Sequence, residues 1–388
     1  MAEPLRYRAW LAVISVALLF VQLGLLALEI PVALEGRTDF RAFYAAGYLI
    51  RTGHRHEIYN YERTIAAEKE VAGTKGPDIP FVHPAYEGVL FAGLARFSYR
   101  KAFWIYTATS VVLLAIVLWW LGRATGESGG EAYALLLGAA FLPAGICLIE
   151  GQNSILVLAV VTAAYALQKA EKEFAAGLVL GAAAFRFPLL LPILLLLLLA
   201  WRWRFVTGFL VTGGLMAALS VWVAGTESLT GYPRYLAAMS VGLQTDAQKL
   251  ALTTWPTAMP NIRGFLSAVQ VERLGPWVAQ ALTVGASLGL LAWAIWKRLP
   301  FEWMPVVAVL VSYHGNIHDS VLLLLPMLAS GLRPQGTPQM TSWAAVLMLP
   351  AVFFVSRMPF AFLAPVYLWF LAVGRGPSVK ALHAEVNS

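Results

Sequence analysis

Charged residues are scarce in this chain. Only 13% of its 388 residues are Asp, Glu, Lys or Arg, whereas 59% are hydrophobic. A soluble globular domain carries about 25% charged residues, so the composition excludes an ordinary soluble domain and indicates an integral membrane protein. Cysteine is nearly absent as well. Cys147 is the single copy, which excludes a disulfide framework within the chain.

Two further patterns are missing. No A-x-A-like cleavage site follows the first apolar run, residues 10–30, so we expect a permanent membrane helix there rather than a cleavable signal peptide. No internal repeat is evident, which disfavours a transporter built from inverted halves. The net charge of +7 comes from residues that flank apolar segments and form no single patch. It therefore predicts topology signals at a membrane surface and no nucleic-acid partner.

What the chain does contain is a series of apolar runs. About 20 apolar residues cross a bilayer as a helix, and twelve runs are candidate spans: 10–33, 102–122, 131–149, 154–168, 174–186, 188–201, 205–224, 276–296, 301–313, 318–332, 340–356 and 360–374. Two long polar loops, 34–101 and 225–275, interrupt them. The sequence predicts an all-α polytopic membrane protein, one domain over residues 1–388, with about twelve transmembrane helices and surface helices in the first outer loop.

The basic residues indicate how the chain is threaded. With a cytoplasmic N-terminus, twelve of them fall in cytoplasmic segments: Arg6, Arg8, Arg123, Lys169, Lys172, Arg202, Arg204, Lys297, Arg298, Arg333, Arg375 and Lys380. The short outer loops hold only Arg186 and Arg357, which is a positive-inside pattern. We therefore expect both termini inside and both long loops outside. This threading makes 83–97 a surface helix, and it makes 174–186 and 188–201 a broken hairpin with FRFP at its tip.

The chemically capable side chains gather on the predicted outer side. They are Asp39, His83, Glu87, Glu150, Gln152, Asn153, Arg186, Arg263, His314, His318 and Asp319. Most have an ordinary explanation when taken alone, such as a proline-led helix start, a polar turn or a hydrated loop. Arg186 differs, because a cation between two apolar runs is costly and points to function. The shared side of the membrane is what argues for one site.

Such a set suits a transferase whose donor is linked to a lipid phosphate. A base such as Asp39 removes the proton from an acceptor hydroxyl, and the guanidinium fork of Arg186 suits a phosphate. His318 and Asp319 would act in acid–base work or orient the substrate. Metal binding stays open, although no H-E-x-x-H or Cys/His ligand spacing appears.

Five segments in order resemble motifs of the GT-C glycosyltransferases, and within them of glycosyltransferase family 87, the polyprenol-phosphate-mannose-dependent mannosyltransferase-like group. The segments are TDFRAFYAAGYLIRTGHRHEIYN (38–60), HPAYEGVLFAGLARF (83–97), EGQNSILVL (150–158), GLVLGAAAFRFPLLL (177–191) and SYHGNIHDSVLLLLP (312–326). They are similar to the family's D-F-x-x-x-Y-x-A-G opening, its Y-P-P segment, its G-Q-x-N-x-L turn, its G-x-x-x-G…K-P segment and its late H-or-D…L-L-L-P motif.

The resemblance implies an inverting transfer of a sugar from a polyprenyl phosphate to a hydroxyl of a glycolipid or glycan, with mannose as the first candidate and arabinofuranose as an alternative. Asp39 matches the proposed general base, and His318 or Asp319 the late polar position near the donor. Arg186 stands where the family usually has Lys. Tyr44 matches the tyrosine of the opening motif and joins the substrate-binding candidates.

The resemblance also sets partners and location. It implies a polyprenyl-phosphate sugar donor, a glycan or glycolipid acceptor and membrane lipid as partners, in the plasma (inner) membrane of a bacterium with the active site outside. No cofactor is implied with certainty, and a divalent metal remains open. His83 and Ala85 depart from the family's usual Tyr and first Pro.

Three other interpretations remain. A lipid-linked-glycan polymerase or ligase would use a pyrophosphate-linked glycan and several outer arginines. A transporter or flippase would carry charged residues on both sides of the midplane. A non-catalytic scaffold would tolerate the loss of Asp39.

Overall fold

The structure is a computed structural model that describes residues 3–241, 255–331 and 336–374. All regular secondary structure in these ranges is helical. Part of the predicted second loop, residues 242–254, lies outside the described residues. So do three of the predicted cytoplasmic cations, Arg333, Arg375 and Lys380.

Most of the described chain is α-helical. In chain order the α-helices are α1 (Glu3–Leu34), α2 (Phe40–Arg51), α3 (Tyr61–Ala72), α4 (Ala85–Leu94), α5 (Tyr99–Ala124), α6 (Gly130–Ala140), α7 (Leu142–Glu150), α8 (Ser154–Lys169), α9 (Glu173–Gly181), α10 (Phe187–Leu199), α11 (Trp203–Ala224), α12 (Glu227–Val241), α13 (Ile262–Ala268), α14 (Pro276–Trp296), α15 (Met304–Val311), α16 (Leu324–Ala329), α17 (Thr337–Ser356) and α18 (Leu363–Val373). Short 3₁₀ helices precede several of them, among them Ala184–Arg186 and Ile317–Leu323.

Five helices of the described chain are long and apolar enough to span a membrane, namely α1, α5, α11, α14 and α17. Two further spans result if each bent pair counts as one: α6 with α7, bent by 61°, and α9 with Ala184–Leu199, bent by 72°. The other apolar helices have 10–17 residues. In the described residues the all-helical fold is confirmed and is consistent with a membrane protein, whereas the number of twelve spans stays a prediction.

Small residues let α9 and α11 lie against each other. A Cβ atom on Gly177 would lie 2.0 Å from the carbonyl oxygen of Phe205, and one on Gly208 would lie 2.2 Å from that of Phe174. Inside a membrane no hydrophobic effect drives helices together, and they associate through close backbone contacts of this kind. The packing fixes α9 up to the bend at 182–186, which carries Arg186.

The first loop is a folded unit with its own aromatic core. Phe40 is fully buried, and its ring lies 5.4 Å from that of Phe103 and 5.5 Å from that of Tyr99. Helix α4 packs on α2 at Gly47, where a Cβ atom would come within 2.3 Å of the Phe91 backbone. With ten residues, α4 is about 15 Å long, too short to cross a bilayer. This core immobilises the start of α2 and with it the neighbouring Asp39.

Candidate active site

Asp39 lies in the turn between α1 and α2, at the N-terminus of α2. Its Oδ2 accepts a hydrogen bond of 2.5 Å from Nε2 of Gln152. Burial raises the pKa of Asp39 to about 6, and the negative charge of Glu150 adds to the rise. An acid with this pKa is mostly ionised at neutral pH and still accepts a proton readily, as a general base must.

The turn between α7 and α8 supplies Gln152 and needs a glycine beside it. Gly151 has a φ of +64°, and a Cβ atom there would lie 2.6 Å from Cβ of Phe40. Only glycine satisfies both conditions easily. The turn is thereby pressed against the first loop, which explains how Gln152 reaches an aspartate 113 positions earlier in the chain.

The next two residues of this turn connect to other elements. Nδ2 of Asn153 donates a short hydrogen bond to Oε1 of Glu87 on α4. The other oxygen of Glu87 lies 2.8 Å from Nδ1 of His83. Oγ of Ser154 donates to Oδ1 of Asp319 at 2.6 Å. The turn therefore links the first loop to His318 and Asp319, which we call the HD pair.

Arg186 lies at the bend before α10 and pairs with Asp319. Its Nη2 donates to Oδ1 of Asp319 in a short ion pair and lies 3.1 Å from Nε2 of His318. Nδ1 of His318 lies 2.9 Å from a carboxylate oxygen of Glu150. Since Arg186 can only donate, we infer that Nε2 of His318 accepts and that the ring proton is on Nδ1.

The carboxylate of Asp319 accepts hydrogen bonds from three donors. Besides Arg186 and Ser154, the backbone N–H of Asn316 donates to its Oδ2 at 2.9 Å, in a capping box that starts the 3₁₀ helix Ile317–Leu323. A carboxylate held in this way is suited to orienting the guanidinium. Its oxygens are too occupied for it to serve as the mobile base.

A cavity of about 140 Å³ brings several of these groups to one space. Asp39, Gln152, Arg186 and Asp319 line it, with His83 and His314. Burial lowers the pKa of His314 to about 4, helped by the charge of Arg263, so His314 is neutral near pH 7. The aromatic rings of Phe43, Phe185 and Tyr232 form part of the wall.

Four predicted residues form a layer behind this wall. Glu87 and Asn153 contact each other, and Glu150 contacts His318. None of the four is among the residues that line the cavity. They act on it through neighbours that do line it: Glu87 through His83, and His318 through Arg186.

Two predicted residues lie away from the cavity. Tyr44 is buried in the first-loop core, where its hydroxyl donates to the carbonyl oxygen of Phe97 at 2.6 Å. The guanidinium of Arg263 stacks 3.9 Å from the ring centre of Tyr313 and donates to that residue's carbonyl oxygen at 3.0 Å. Arg263 therefore holds the 312–316 link, which reaches the cavity through Ser312, His314 and Asn316.

Other contributors carry weak sequence signals. Ser154 follows Asn153 in a motif already singled out, and Asn316 with Asp319 has the spacing of a capping box. Asn261, fully buried, donates to the carbonyl oxygen of Ser312 at 2.8 Å and so fastens the same link. The sequence signal at Tyr232 is its place in GYPRY (231–235), an aromatic segment of the second long loop. Among the residues that the structure describes, no group of three or more His, Cys, Asp or Glu side chains is arranged to hold a metal ion.

Comparison with known proteins gives one finding. No curated protein and no solved structure matches the chain. The family described as glycosyltransferase family 87 matches residues 81–326. That range includes the α7–α8 turn, Arg186 and the HD pair, whereas Asp39 precedes it. Because the match covers well over half of the sequence, the chain belongs to glycosyltransferase family 87.

Proposed function

We propose that this membrane glycosyltransferase transfers a sugar, with mannose as the first candidate, from a polyprenyl phosphate to a hydroxyl of a glycolipid or glycan. Asp39 is the general base and Arg186 binds the donor phosphate. The transfer inverts the anomeric carbon, so a β-linked donor gives an α-linked product. His83, Gln152 and His314 bind substrate.

One observation carries the proposal: the carboxylate of Asp39 and the guanidinium of Arg186 line the same small cavity. Acceptor activation requires the first, and stabilisation of the charge that develops on the leaving phosphate requires the second. The described contacts of Arg186 to Asp319, His318 and Ser154 all use Nη2. The other N–H groups of the guanidinium make no hydrogen bond to the described residues, and we assign them to the phosphate.

The reaction balances with these groups alone. The acceptor oxygen forms a bond to the anomeric carbon as the bond from that carbon to the phosphate oxygen breaks. The polyprenyl phosphate leaves with the electron pair. Asp39 takes the proton of the acceptor hydroxyl, and the hydrogen bond from Gln152 keeps its carboxylate oriented. Arg186 holds the phosphate before and after the transfer.

The same proposal covers the membrane arrangement. We place the protein in a bacterial plasma membrane with about twelve spans, both termini in the cytoplasm and the cavity on the outer side. That sidedness puts the acceptor and a lipid-linked donor within reach of Asp39, where nucleotide sugars are absent.

The decisive experiment is a donor-release assay. Purified protein in nanodiscs is incubated with a short-chain polyprenyl-phosphate mannose and a panel of glycolipid acceptors, and released polyprenyl phosphate is measured. Asp39→Asn is compared with wild type and with Asp78→Asn. Asp78 is a matched control because it lies in the same loop, partly exposed and paired with Lys69 at 3.1 Å.

We expect release by wild type and Asp78→Asn and its loss in Asp39→Asn. Equal release by all three would remove Asp39 from its role. Absence of release with every acceptor and with a pentose donor would favour the polymerase or transporter interpretation instead.

A further inference from the structure

A second hollow, which we call the α1 groove, lies next to the Asp39 turn, with Arg37 and Thr38 in its lining. It encloses about 330 Å³ between α1, α7 and α17. Most of its wall is apolar, with Leu26 from α1, Ile146 from α7 and Phe354 from α17 as examples. These helices include two of the long apolar spans, so the groove lies beside the lipid phase.

One end of the α1 groove adjoins residues of the candidate active site. Thr38 and Glu150 line it there. Thr38 directly precedes Asp39, and Glu150 is the partner of His318 at 2.9 Å. A molecule that fills the groove therefore has its polar end next to the proposed base.

The charges of the groove differ from those of the cavity. Two carboxylates line it, Glu29 and Glu150, against one cation, Arg37. The residues that the structure describes form no ion pair or side-chain hydrogen bond with Glu29, which lies five positions before the end of α1. Carboxylates repel a phosphate and accept hydrogen bonds from hydroxyl groups. A donor phosphate is thus directed to Arg186, and an uncharged polyhydroxylated head to the groove.

We propose that the α1 groove is the binding site of the acceptor and that this acceptor is a membrane glycolipid with an uncharged head. Its hydrocarbon chain lies on the apolar wall, and its head passes Glu29, Thr38 and Glu150 to present a hydroxyl to Asp39. The inference rests on the proposed function, because it names the acceptor of that reaction. It separates the two lipids: the donor is held at Arg186 and the acceptor between α1, α7 and α17.

The test fills the groove with a larger side chain. Leu26→Trp places an indole in it, and Leu28→Trp is the matched control on the same helix, since Leu28 is 71% exposed and does not line the groove. Each protein is given the same donor with two acceptors: a glycolipid in nanodiscs and a soluble glycoside with the same sugar head. The readout is the ratio of transfer to the two acceptors.

We expect the ratio to fall by about tenfold or more in Leu26→Trp, the discrimination that an apolar pocket shows against a misfit, and to stay constant in Leu28→Trp. An unchanged ratio in Leu26→Trp would overturn the assignment of the groove to the acceptor. If that ratio is unchanged because transfer to both acceptors falls equally, the hydrocarbon chain of the donor would be assigned to the groove instead.

A binding measurement separates this inference from the proposed function. Native mass spectrometry compares retention of the uncharged glycolipid and of an anionic phospholipid by wild type, Leu26→Trp and Leu28→Trp. If wild type and Leu28→Trp retain the glycolipid selectively and Leu26→Trp does not, the groove is supported. This holds even if no sugar is transferred, because absence of transfer would contradict only the proposed reaction. Retention that Leu26→Trp leaves intact would overturn the groove whatever the activity.

Discussion

Two arginines of this chain, Arg41 and the partly buried Arg186, each pair with a carboxylate, yet their surroundings differ. Arg41 is fully buried. Its Nε lies 3.1 Å from Oε2 of Glu68, and its two Nη atoms donate to the carbonyl oxygens of Gly36 and Gly73 at 2.7 and 3.0 Å. The side chain of Arg186 is 13% exposed, and its described contacts use one nitrogen.

Burial and pairing alone therefore do not identify a substrate-binding cation. Every nitrogen of Arg41 faces a protein oxygen, and a Cβ atom on Gly76 would lie 1.7 Å from its Nη1, so no ligand can approach. Glu68 also accepts from the backbone N–H of Ile79 at 3.1 Å, and Ile79 lines the cavity. Arg41 thus fastens the Asp39 turn to the cavity wall, while Arg186 faces the cavity itself.

The largest expected effect is on stability, from Arg41→Met. Removing one partner of a buried ion pair leaves an uncompensated charge and costs about 3–5 kcal/mol. We expect this loss in the free energy of unfolding, measured by denaturant titration in detergent. Arg41→Lys should also destabilise, by about 1–3 kcal/mol, because one ammonium cannot satisfy three acceptors spread around a planar fork.

The double variant Arg41→Met/Glu68→Leu is the control for Arg41. It removes both charges, so it should recover much of the lost stability. A single Arg41→Met variant that keeps its stability and loses activity would reverse the comparison and make Arg41 the substrate-binding cation.

The second effect is on transfer. Arg186→Met should lower kcat/KM by about 10²–10³-fold, the usual cost of one electrostatic contact to a developing charge. Destabilisation should be smaller than at Arg41, because Asp319 keeps Ser154 and Asn316 as donors. The measurements are release of polyprenyl phosphate and thermal unfolding of the same preparations.

Arg186→Lys sharpens the same test. Lys is the usual residue of the resembling motif, and its ammonium preserves the charge that a phosphate needs. We expect most of the lost kcat/KM to return in Arg186→Lys, in contrast to Arg41→Lys. Equal failure of the two lysine variants would show that Arg186 is as structural as Arg41.

The sequence predicted where the helices lie, whereas the number of membrane crossings stays a prediction. Runs such as 276–296 coincide with helices because an apolar run in a membrane protein has no other way to satisfy its backbone. Length alone does not decide the fate of shorter runs such as 154–168, since helices of that length cross, dip or lie between neighbours according to packing that no local pattern records.

The candidate site was anticipated as a list of polar positions on one side and could not be anticipated as a network. Gln152 and Asp39 are 113 positions apart, and Ser154 and Asp319 are 165 apart, so only the tertiary fold pairs them. Arg186 could be predicted from the sequence because it is a charged residue between two apolar runs. Neutral residues such as Ser154 and Asn261 resemble ordinary turn residues, and Tyr44 shares its motif with Asp39 yet faces the opposite way, into the first-loop core.

A third, smaller effect concerns the pH dependence that Asp39 imposes on the transfer. Because burial raises the pKa of Asp39 to about 6, its carboxylate form is populated above that pH. We expect kcat/KM to rise with pH and level off above about 6. Glu150→Gln removes the negative charge that is the second cause of the raised pKa, so the acid limb should move to lower pH, by less than burial itself contributes. An acid limb near pH 4 in the wild type would contradict the raised pKa of Asp39.

The smallest expected effect is that of Tyr44, which, like Arg41, is buried in the first loop and contacts other protein groups. Tyr44→Phe removes one hydrogen bond, from the hydroxyl to the carbonyl oxygen of Phe97, and leaves the ring in its core. A typical hydrogen bond contributes about 1 kcal/mol, so we expect a loss of that order in the free energy of unfolding and no change in KM for donor or acceptor. Because Tyr44 shares the opening motif with Asp39, a raised KM with unchanged stability would instead make it a substrate contact. Such a result would mean that the first loop opens to admit a ligand, and that the closed packing around Arg41 is only one state of this region.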